Sequence, residues 1–285
     1  MNILITGSKG QLGSEIQRLA EDFNHDDFQF IFTDKEELDI TDRNAVYDFV
    51  ERNNIGTIVN CAAYTAVDKA EEDVALCELL NHAAPTYLAE AIDSIGGSMI
   101  QISTDYVFDG THCRPYTEDD ITNPQTVYGR TKLAGEEGVI RSCVGAMVIR
   151  TAWLYSTFGN NFVKTMLRLG KERETLGVVA DQVGTPTYAR DLAAAILEIL
   201  RQGIIPGVYH YSNEGTTSWY DFTKAIHRIA GLHTCDVTPV HTEDYPTPAK
   251  RPHYSVLDKT KIKNVFNISI PWWEDSLKVC LKEMD

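Results

Sequence analysis

Over the first 150 residues, short apolar runs alternate with longer segments in which apolar residues recur every three to four positions. The short runs are apolar on both faces and rich in Ile and Val, which is typical of strands in a covered parallel sheet. They predict strands at Ile3–Thr6, Phe28–Thr33, Thr57–Asn60, Met99–Ser103 and Ala146–Arg150. The intervening segments predict helices at Gln11–Asp22, Arg43–Asn53, Ala75–Ile95 and Thr126–Arg141. This alternation indicates βαβ crossovers, so we expect an α/β fold with a doubly wound parallel sheet.

After residue 150 the alternation becomes less regular. Helices are predicted at Asn161–Lys171, Tyr188–Arg201 and Ser218–Ala230, with loops that contain Gly and Pro between them. The segment Tyr245–Pro252 contains three prolines and is expected to be extended. We therefore expect residues 1–150 to form the sheet domain. Residues 151–285 are expected mainly to form a smaller lobe at the carboxyl edge of the sheet, with some segments returning to the first domain.

Composition and charge narrow the possible functions. The net charge is −15, which disfavours nucleic acid or an anionic membrane as a partner. An anionic ligand would therefore need local donors, such as a helix N-terminus or an arginine. No apolar run approaches the roughly 20 residues that span a bilayer, and the N-terminus lacks the pattern of a signal peptide. These features predict a cytoplasmic protein.

Cysteine and histidine spacing gives no sign of a metal or redox site. The six cysteines contain no C-x-x-C pair, so we expect reduced and partly buried thiols. The eight histidines show neither H-x-x-x-H nor H-E-x-x-H spacing. The sequence therefore predicts no metal site.

The strongest local motif follows the first predicted strand. Gly7, Gly10 and Gly13 form a G-x-x-G-x-x-G string between that strand and the next helix. In a Rossmann-type βαβ unit, such glycines provide a tight turn, close approach to a pyrophosphate and close packing of helix on strand. The helix N-terminus adds free N–H groups and a positive dipole. The motif therefore predicts that residues 1–150 form an NAD(P)-binding Rossmann domain.

The ends of the next strands supply further candidate cofactor contacts. Asp34 follows the second strand, about 20 residues after the glycines, where an acidic residue binds the adenosine ribose. A carboxylate there favours NADH, whereas the adjacent Lys35 would suit the 2′-phosphate of NADPH, so both cofactors stay open. Small residues around Ala63, at the end of the third strand, would permit close approach of a cofactor.

A tyrosine and a lysine on one predicted helix suggest carbonyl chemistry. Tyr128 and Lys132 are four residues apart and therefore share a helix face. A phenol with a pKa near 10 transfers protons poorly at neutral pH unless a neighbouring charge stabilises its anion, and the lysine ammonium is the candidate. Thr104, at the end of the fourth strand, is placed to bind a substrate carbonyl, or alternatively to cap a backbone group. Together they predict hydride transfer with Tyr128 as the proton donor.

Several longer motifs carry a resemblance to a known family. They are NCAAYTAVDK (60–69), STDYVFDG (103–110), VYGRTKLAGE (127–136), RTAWLY (150–155), NNFVKTMLRL (160–169), DQVGTP (181–186) and YPTPAKRP (245–252). In this order and spacing, the chain resembles the extended short-chain dehydrogenase/reductase family over nearly its whole length. Within that family it is similar to reductases of nucleotide-linked keto-sugars.

The resemblance implies an activity and a set of site residues. It implies NAD(P)H-dependent reduction of the C4 keto group of dTDP-4-dehydro-L-rhamnose. The implied catalytic residues are Thr104, Tyr128 and Lys132. The implied cofactor contacts, with those derived above, are Gly7, Gly10, Gln11, Leu12, Gly13, Asp34, Asp39, Ile40, Ala63, Tyr64, Thr65, Tyr128 and Lys132. The implied substrate contacts are Thr104, Asp105 and Trp153, and Arg251 is the candidate for the diphosphate.

Metal binding, assembly and the exact reaction have alternatives. Some family members form a dimer around Mg²⁺ held by acidic residues of both subunits. Glu15 is present here, but Arg190 occupies the second acidic position and would oppose a cation, so we expect no metal bridge and either a monomer or a homodimer. Alternative functions are a reductase or epimerase of another nucleotide-linked 6-deoxy-4-keto-sugar, or a non-catalytic regulatory subunit.

Overall fold

The computed structural model of the protein describes residues 1–23 and 28–284. Its strands are, in chain order, β1 (Asn2–Thr6), β2 (Gln29–Thr33), β3 (Ile55–Asn60), β4 (Ser98–Thr104), β5 (Ala146–Thr151), β6 (Leu154–Tyr155), β7 (Thr175–Val179), β8 (Val183–Gly184), β9 (Thr187–Tyr188), β10 (Gly207–His210), β11 (Thr217–Ser218) and β12 (Asp236–Val240). Its α-helices are α1 (Gln11–Ala20), α2 (Arg43–Arg52), α3 (Val67–Ala70), α4 (Val74–Glu78), α5 (Ala84–Asp93), α6 (Val127–Ser142), α7 (Phe162–Glu172), α8 (Ala189–Gln202), α9 (Trp219–Ile229), α10 (Thr260–Phe266) and α11 (Trp273–Lys282).

Six parallel strands form the central sheet, in the order β2-β1-β3-β4-β5-β10. Side chains of β1 show why both faces must be covered. Ile3 and Ile5 enter a core with α1 and α8, whereas Leu4 enters a second core with α2, α5 and α6. Because alternate residues of a strand face opposite sides, a run of consecutive apolar residues is buried on both. The predicted doubly wound parallel sheet is confirmed.

A second core lies in the C-terminal part of the chain. There, β7 and β12 pair in parallel, and α7, α9 and α11 pack with them around residues such as Met166, Phe222 and Leu277. Two small ladders, β6 with β9 and β8 with β11, lie in the same half of the chain. Two C-terminal elements return to the sheet domain, because β10 pairs with β5 and α8 packs against α1.

Two element predictions need correction. The single helix expected at Ala75–Ile95 is wrong, because a π-helical turn at Leu79–Ala83 separates α4 from α5. Pro85 explains the turn, since its ring has no N–H to donate and would clash with the carbonyl of Asn81 in a regular α-helix. The prediction also lacked β10, the sixth strand of the sheet.

The cysteines and the lengths of the apolar helices bear on two expectations from the sequence. All six cysteines lie in the described part of the chain, and each is a free thiol; only Cys113 is exposed. Among the described residues, no helix combines the length and apolar character that a membrane span requires.

Candidate active site

The first strand runs into a glycine turn that shapes the start of α1. Gly7 has φ +64°, and a Cβ atom there would lie 2.7 Å from the backbone nitrogen of Ala62. At Gly13, a Cβ atom would lie 2.4 Å from the carbonyl oxygen of Gly7. Both positions therefore require glycine. Because α1 begins at Gln11 without a side-chain cap, its first N–H groups favour an anion such as a pyrophosphate.

A cleft of about 520 Å³ opens at the carboxyl ends of β1, β2 and β3, where the strand order reverses. Dinucleotides bind at this position in doubly wound sheets. Among the predicted cofactor residues, the cleft is lined by Gly7, Gly10, Asp34, Asp39, Ile40 and Ala63. Lys35, the alternative contact for a 2′-phosphate, lines it too. The structure thus brings six of the thirteen predicted cofactor residues to one cavity.

The apolar wall of this cleft was not predicted. It contains Leu38, Leu76, Leu79 and Leu80, of which Leu76 is 46% exposed and Leu79 is 36% exposed. Exposed leucines beside a polar cleft suit the flat face of a ligand ring. The sequence pattern predicts that Leu76, Leu79 and Leu80 lie in an ordinary helix. They were missed because the π-helical turn changes which residues face outward.

The remaining cofactor candidates take other positions. Leu12 is buried in the core beneath the glycine turn, and Gln11 accepts a 3.0 Å hydrogen bond from the Asn161 side chain. Tyr64 follows β3, and the buried Asn81 clamps its backbone by accepting from its N–H at 2.8 Å and donating to its carbonyl at 3.1 Å. Sequence reasoning missed Asn81, whose position depends on the π-helical turn.

Thr104 and Tyr128 come together at the carboxyl edge of the sheet. Thr104 ends β4, and Tyr128 lies in the first turn of α6, which Thr126 caps with a 3.0 Å hydrogen bond from Gly129. Burial raises the pKa of the Tyr128 phenol well above its ordinary value, and a hydrogen bond with Thr104 partly opposes this shift. The Thr104 hydroxyl donates its proton to Asp105 at 3.0 Å.

Lys132 lies one helical turn after Tyr128 but makes a different contact from the one expected. Its Nζ donates a 2.6 Å hydrogen bond to the carbonyl oxygen of Ile102. The expectation that it directly lowers the Tyr128 pKa is therefore not met in this structure, because the ammonium is held against the β4 backbone. Burial lowers the pKa of Lys132 from 10.5 to about 8, and the negative charge of Glu136 opposes the shift.

A buried ion pair between α6 and β5 lies next to Lys132. Glu136 lies one turn after Lys132, and its carboxylate forms a bidentate pair with Arg150 of β5, with contacts of 3.0 Å and 2.7 Å. Ser103 donates to the same carboxylate. Ser103 therefore has a structural partner on the opposite side of β4 from Thr104, as its alternating position predicts.

Asp105 is a buried acid at the same edge. It is 2% exposed, and burial raises the pKa of its carboxyl to about 6. The Ser255 hydroxyl and Thr104, which donates to Oδ1, oppose this shift, but among the described residues no hydrogen bond of normal geometry reaches Oδ2. A buried acceptor without a partner is costly, so a ligand hydroxyl at this position would satisfy it.

A second cavity, of about 710 Å³, lies beside the C-terminal lobe. Its lining includes Phe162, Trp219, Arg173 and Arg251, together with apolar side chains of α7 and β7. Arg251, the candidate for a diphosphate, forms a bidentate ion pair with Asp68 at 2.9 Å and 2.8 Å. Arg251 therefore reaches the cavity but shares its charge with an acid that sequence reasoning missed.

Trp153 lies between the strand end and this lobe. It is half-buried, and its ring stacks on Trp219 with centroids 3.5 Å apart. Its φ of +47° is rare for a bulky residue and costs about 1–3 kcal/mol. Strain of this size persists only where neighbouring contacts hold it.

The residues at the Mg²⁺ position that the sequence resemblance implies do not fit a cation. The buried Glu15 pairs with Arg18 at 2.6 Å, and Arg18 pairs with Glu283 at 2.9 Å. Arg190 also contacts Glu283. Two guanidinium groups thus neutralise the two carboxylates. No cluster of metal-ligating side chains occurs within residues 1–23 and 28–284.

Comparison with known proteins gives consistent matches over the full chain. The model of the RmlD substrate binding domain matches residues 1–285. A dTDP-4-dehydrorhamnose reductase from Aggregatibacter actinomycetemcomitans is 41% identical, with 97% of each chain covered.

Solved structures agree. A dTDP-4-dehydrorhamnose reductase from Clostridium acetobutylicum is 45% identical with a TM-score of 0.94, covering 100% of this chain and 99% of that one. The enzyme of the same name from Bacillus anthracis, in complex with NADP, is 39% identical with a TM-score of 0.93, covering 99% of each chain.

Proposed function

The chain belongs to the family defined by the RmlD substrate binding domain, and on that basis we propose that it reduces dTDP-4-dehydro-L-rhamnose to dTDP-L-rhamnose with NADPH or NADH. The family resemblance expected from the sequence is thereby confirmed. The observation that carries the proposal is the meeting of Thr104 and Tyr128 at the sheet edge, next to the dinucleotide cleft.

Tyr128 is the proposed proton donor. When bound, the reduced nicotinamide supplies the hydride that C4 of the sugar accepts. As the carbonyl oxygen gains negative charge, the Tyr128 phenol gives it a proton, and the Thr104 hydroxyl orients that oxygen. With a pKa of about 8, Lys132 is mostly protonated at neutral pH, so its ammonium would be available to hold the nicotinamide ribose.

The proposed cofactor contacts follow the cleft. Backbone N–H groups at Gln11 and Leu12 would bind the pyrophosphate beside Gly10, whose own N–H donates to the Gly7 carbonyl oxygen, with Gly7 and Gly13 shaping the turn. Asp34, with Lys35 beside it, would meet the adenosine ribose. The contacts assigned to Asp39, Ile40, Ala63, Tyr64 and Thr65, and those of Tyr128 and Lys132 with the nicotinamide ribose, belong to the same proposal.

The proposed substrate contacts extend from the strand end toward the lobe. Asp105 would accept from a sugar hydroxyl through its unpartnered oxygen, and the half-buried Trp153 would contact the sugar with the exposed part of its ring. Arg251 would face the diphosphate, and the 710 Å³ cavity beside it would take the nucleoside. In this proposal residues 1–150 bind the cofactor and residues 151–285 mainly bind the substrate.

The cellular setting is also a proposal. The reaction would supply a precursor for cell-surface polysaccharide from a cytoplasmic enzyme that acts as a monomer or a homodimer. The ion pairs around Arg190 support an assembly without a bridging metal ion.

The direct test is a reductase assay with purified protein, reduced cofactor and dTDP-4-dehydrorhamnose made in place by the preceding epimerase. We expect the nicotinamide absorbance to fall only when every component is present, and dTDP-L-rhamnose to accumulate. An epimerase would change the sugar without net oxidation of cofactor. A regulatory subunit would bind cofactor and leave both unchanged.

A further inference from the structure

The backbone of Trp153 shows that neighbouring residues determine its position. Its φ is +47°, and the other non-glycine residues with positive φ in the described chain, Asn54 and Asn267, are asparagines. Asparagine tolerates this left-handed region, whereas tryptophan rarely adopts it. The conformation of Trp153 must therefore be imposed by its contacts.

Two residues of the C-terminal lobe supply those contacts. The Trp219 indole stacks on that of Trp153 with a centroid distance of 3.5 Å and an interplanar angle of 11°. At Gly184, a Cβ atom would lie 2.6 Å from the Trp153 ring, so the indole packs directly on the β8 backbone. One ladder fixes both contacts, because Gly184 in β8 pairs with Thr217 in β11, two residues before Trp219.

The stacked pair connects the sheet edge with the second cavity. Trp153 lies two residues after Thr151, the residue of β5 that pairs with Thr104. On the lobe side, Trp219 lines the 710 Å³ cavity and packs against Phe162, with ring centroids 4.5 Å apart. A shift of Trp219 would therefore be transmitted to the indole that follows the β5 residue paired with Thr104.

We propose that Trp219 is a positioning residue for the reduction: it holds the Trp153 ring in the orientation that presents the sugar carbonyl to Thr104 and Tyr128. Gly184 is part of the same device, because only glycine leaves room for the indole. This inference rests on the proposed function and assigns the lobe a part in orienting the reacting group, in addition to binding the nucleotide.

Circular dichroism tests the stack without any turnover. Two indoles in face-to-face contact couple their transitions, so the unchanged protein should show an exciton couplet. Trp219→Phe should abolish the couplet, while Trp272→Phe, at a position 51% exposed, should keep it. A couplet that is unchanged in Trp219→Phe would overturn the inference.

Kinetics and binding then test the role. In Trp219→Leu we expect kcat/KM for the keto-sugar to fall about 10- to 100-fold, through both KM and kcat, because a misplaced carbonyl binds less well and reacts more slowly. The Kd for NADPH should stay within about twofold, since the dinucleotide cleft is separate. Trp219→Phe should recover most of the activity, because a phenyl ring keeps an aromatic contact.

Gly184→Ala provides a second perturbation that keeps Trp219. Its methyl group would displace the Trp153 ring, so it should reproduce the kinetic loss, and it decides the question if Trp219→Leu does not fold. Unchanged kcat/KM in Gly184→Ala and in any folded Trp219→Leu would overturn the inference. If the unchanged protein shows the couplet but does not reduce the keto-sugar, the proposed function fails, and the stack itself stands as an observation.

Discussion

Replacing Lys132 with methionine should stabilise the protein while it inactivates the enzyme. The pKa of Lys132 falls from 10.5 to about 8 through burial, so keeping the ammonium charged at pH 7 costs about 3 kcal/mol. Methionine has a similar length and carries no charge. The change leaves the carbonyl of Ile102 without its donor, which costs about 1 kcal/mol. The net gain is about 2 kcal/mol, or a rise in Tm of about 4–8 °C.

The dependence on pH identifies the cause. Above pH 8 the folded protein releases the Lys132 proton, whereas the unfolded chain keeps it until about pH 10.5. The unfolded state then binds more protons, so the unchanged protein gains stability from this residue as pH rises. The advantage of Lys132→Met should therefore shrink by about 2 kcal/mol between pH 7 and pH 9.5.

Denaturant unfolding at both pH values measures these differences. Lys171→Met, at an exposed position on α7, is the matched control and should change stability by less than about 0.5 kcal/mol. The kcat of Lys132→Met should fall by at least about a hundredfold. A variant less stable than the unchanged protein at pH 7, or an advantage that does not depend on pH, would refute the reasoning.

Three further predictions concern the acid, the cofactor and the ion-pair cluster. Tyr128→Phe should lower kcat by about two to four orders of magnitude and largely keep NADPH affinity, because Lys132 and the rest of the cleft still bind the cofactor; near-normal turnover would exclude it as the proton donor. Asp34→Ala should raise the ratio of kcat/KM for NADPH over NADH by about tenfold and Lys35→Ala should lower it, and a ratio unmoved by both would reject their role at the ribose. Arg190→Glu should have a Tm several degrees lower than the unchanged protein in EDTA, and Mg²⁺ should restore that Tm. The Tm of the unchanged protein should respond to neither, and a fall in EDTA would contradict the account of the cluster.

Local chemistry explains why much of the site could be predicted from the sequence. Gly7 is favoured by the positive φ of its own tight turn and Gly13 by its contact with the Gly7 backbone, so the motif alone identifies the turn. Tyr128 and Lys132 share a helix face through spacing alone. Runs such as Ile3–Ile5 are apolar at every position because a parallel sheet is covered on both sides, which is why the fold class followed from the pattern.

The features that were missed depend on contacts that are distant in the sequence. β10 has four residues, and it joins the sheet only because β5, about 60 residues earlier, offers an open edge. The partner of Lys132 is the backbone of β4, and the partner of Arg251 is Asp68, 183 residues away. The stack of Trp153 on Trp219 likewise requires a ladder between two short strands. No local pattern encodes such pairs.

The most direct test of the central claim follows the transferred hydrogen. NADPH that carries deuterium at the transferable position of its nicotinamide ring would be supplied with dTDP-4-dehydrorhamnose, and the sugar product would be examined by NMR. We predict one deuterium at C4 of dTDP-L-rhamnose, with transfer reduced in Tyr128→Phe in proportion to kcat. Product without deuterium at C4, or no product with cofactor bound, would contradict the proposal that this chain is a C4 reductase.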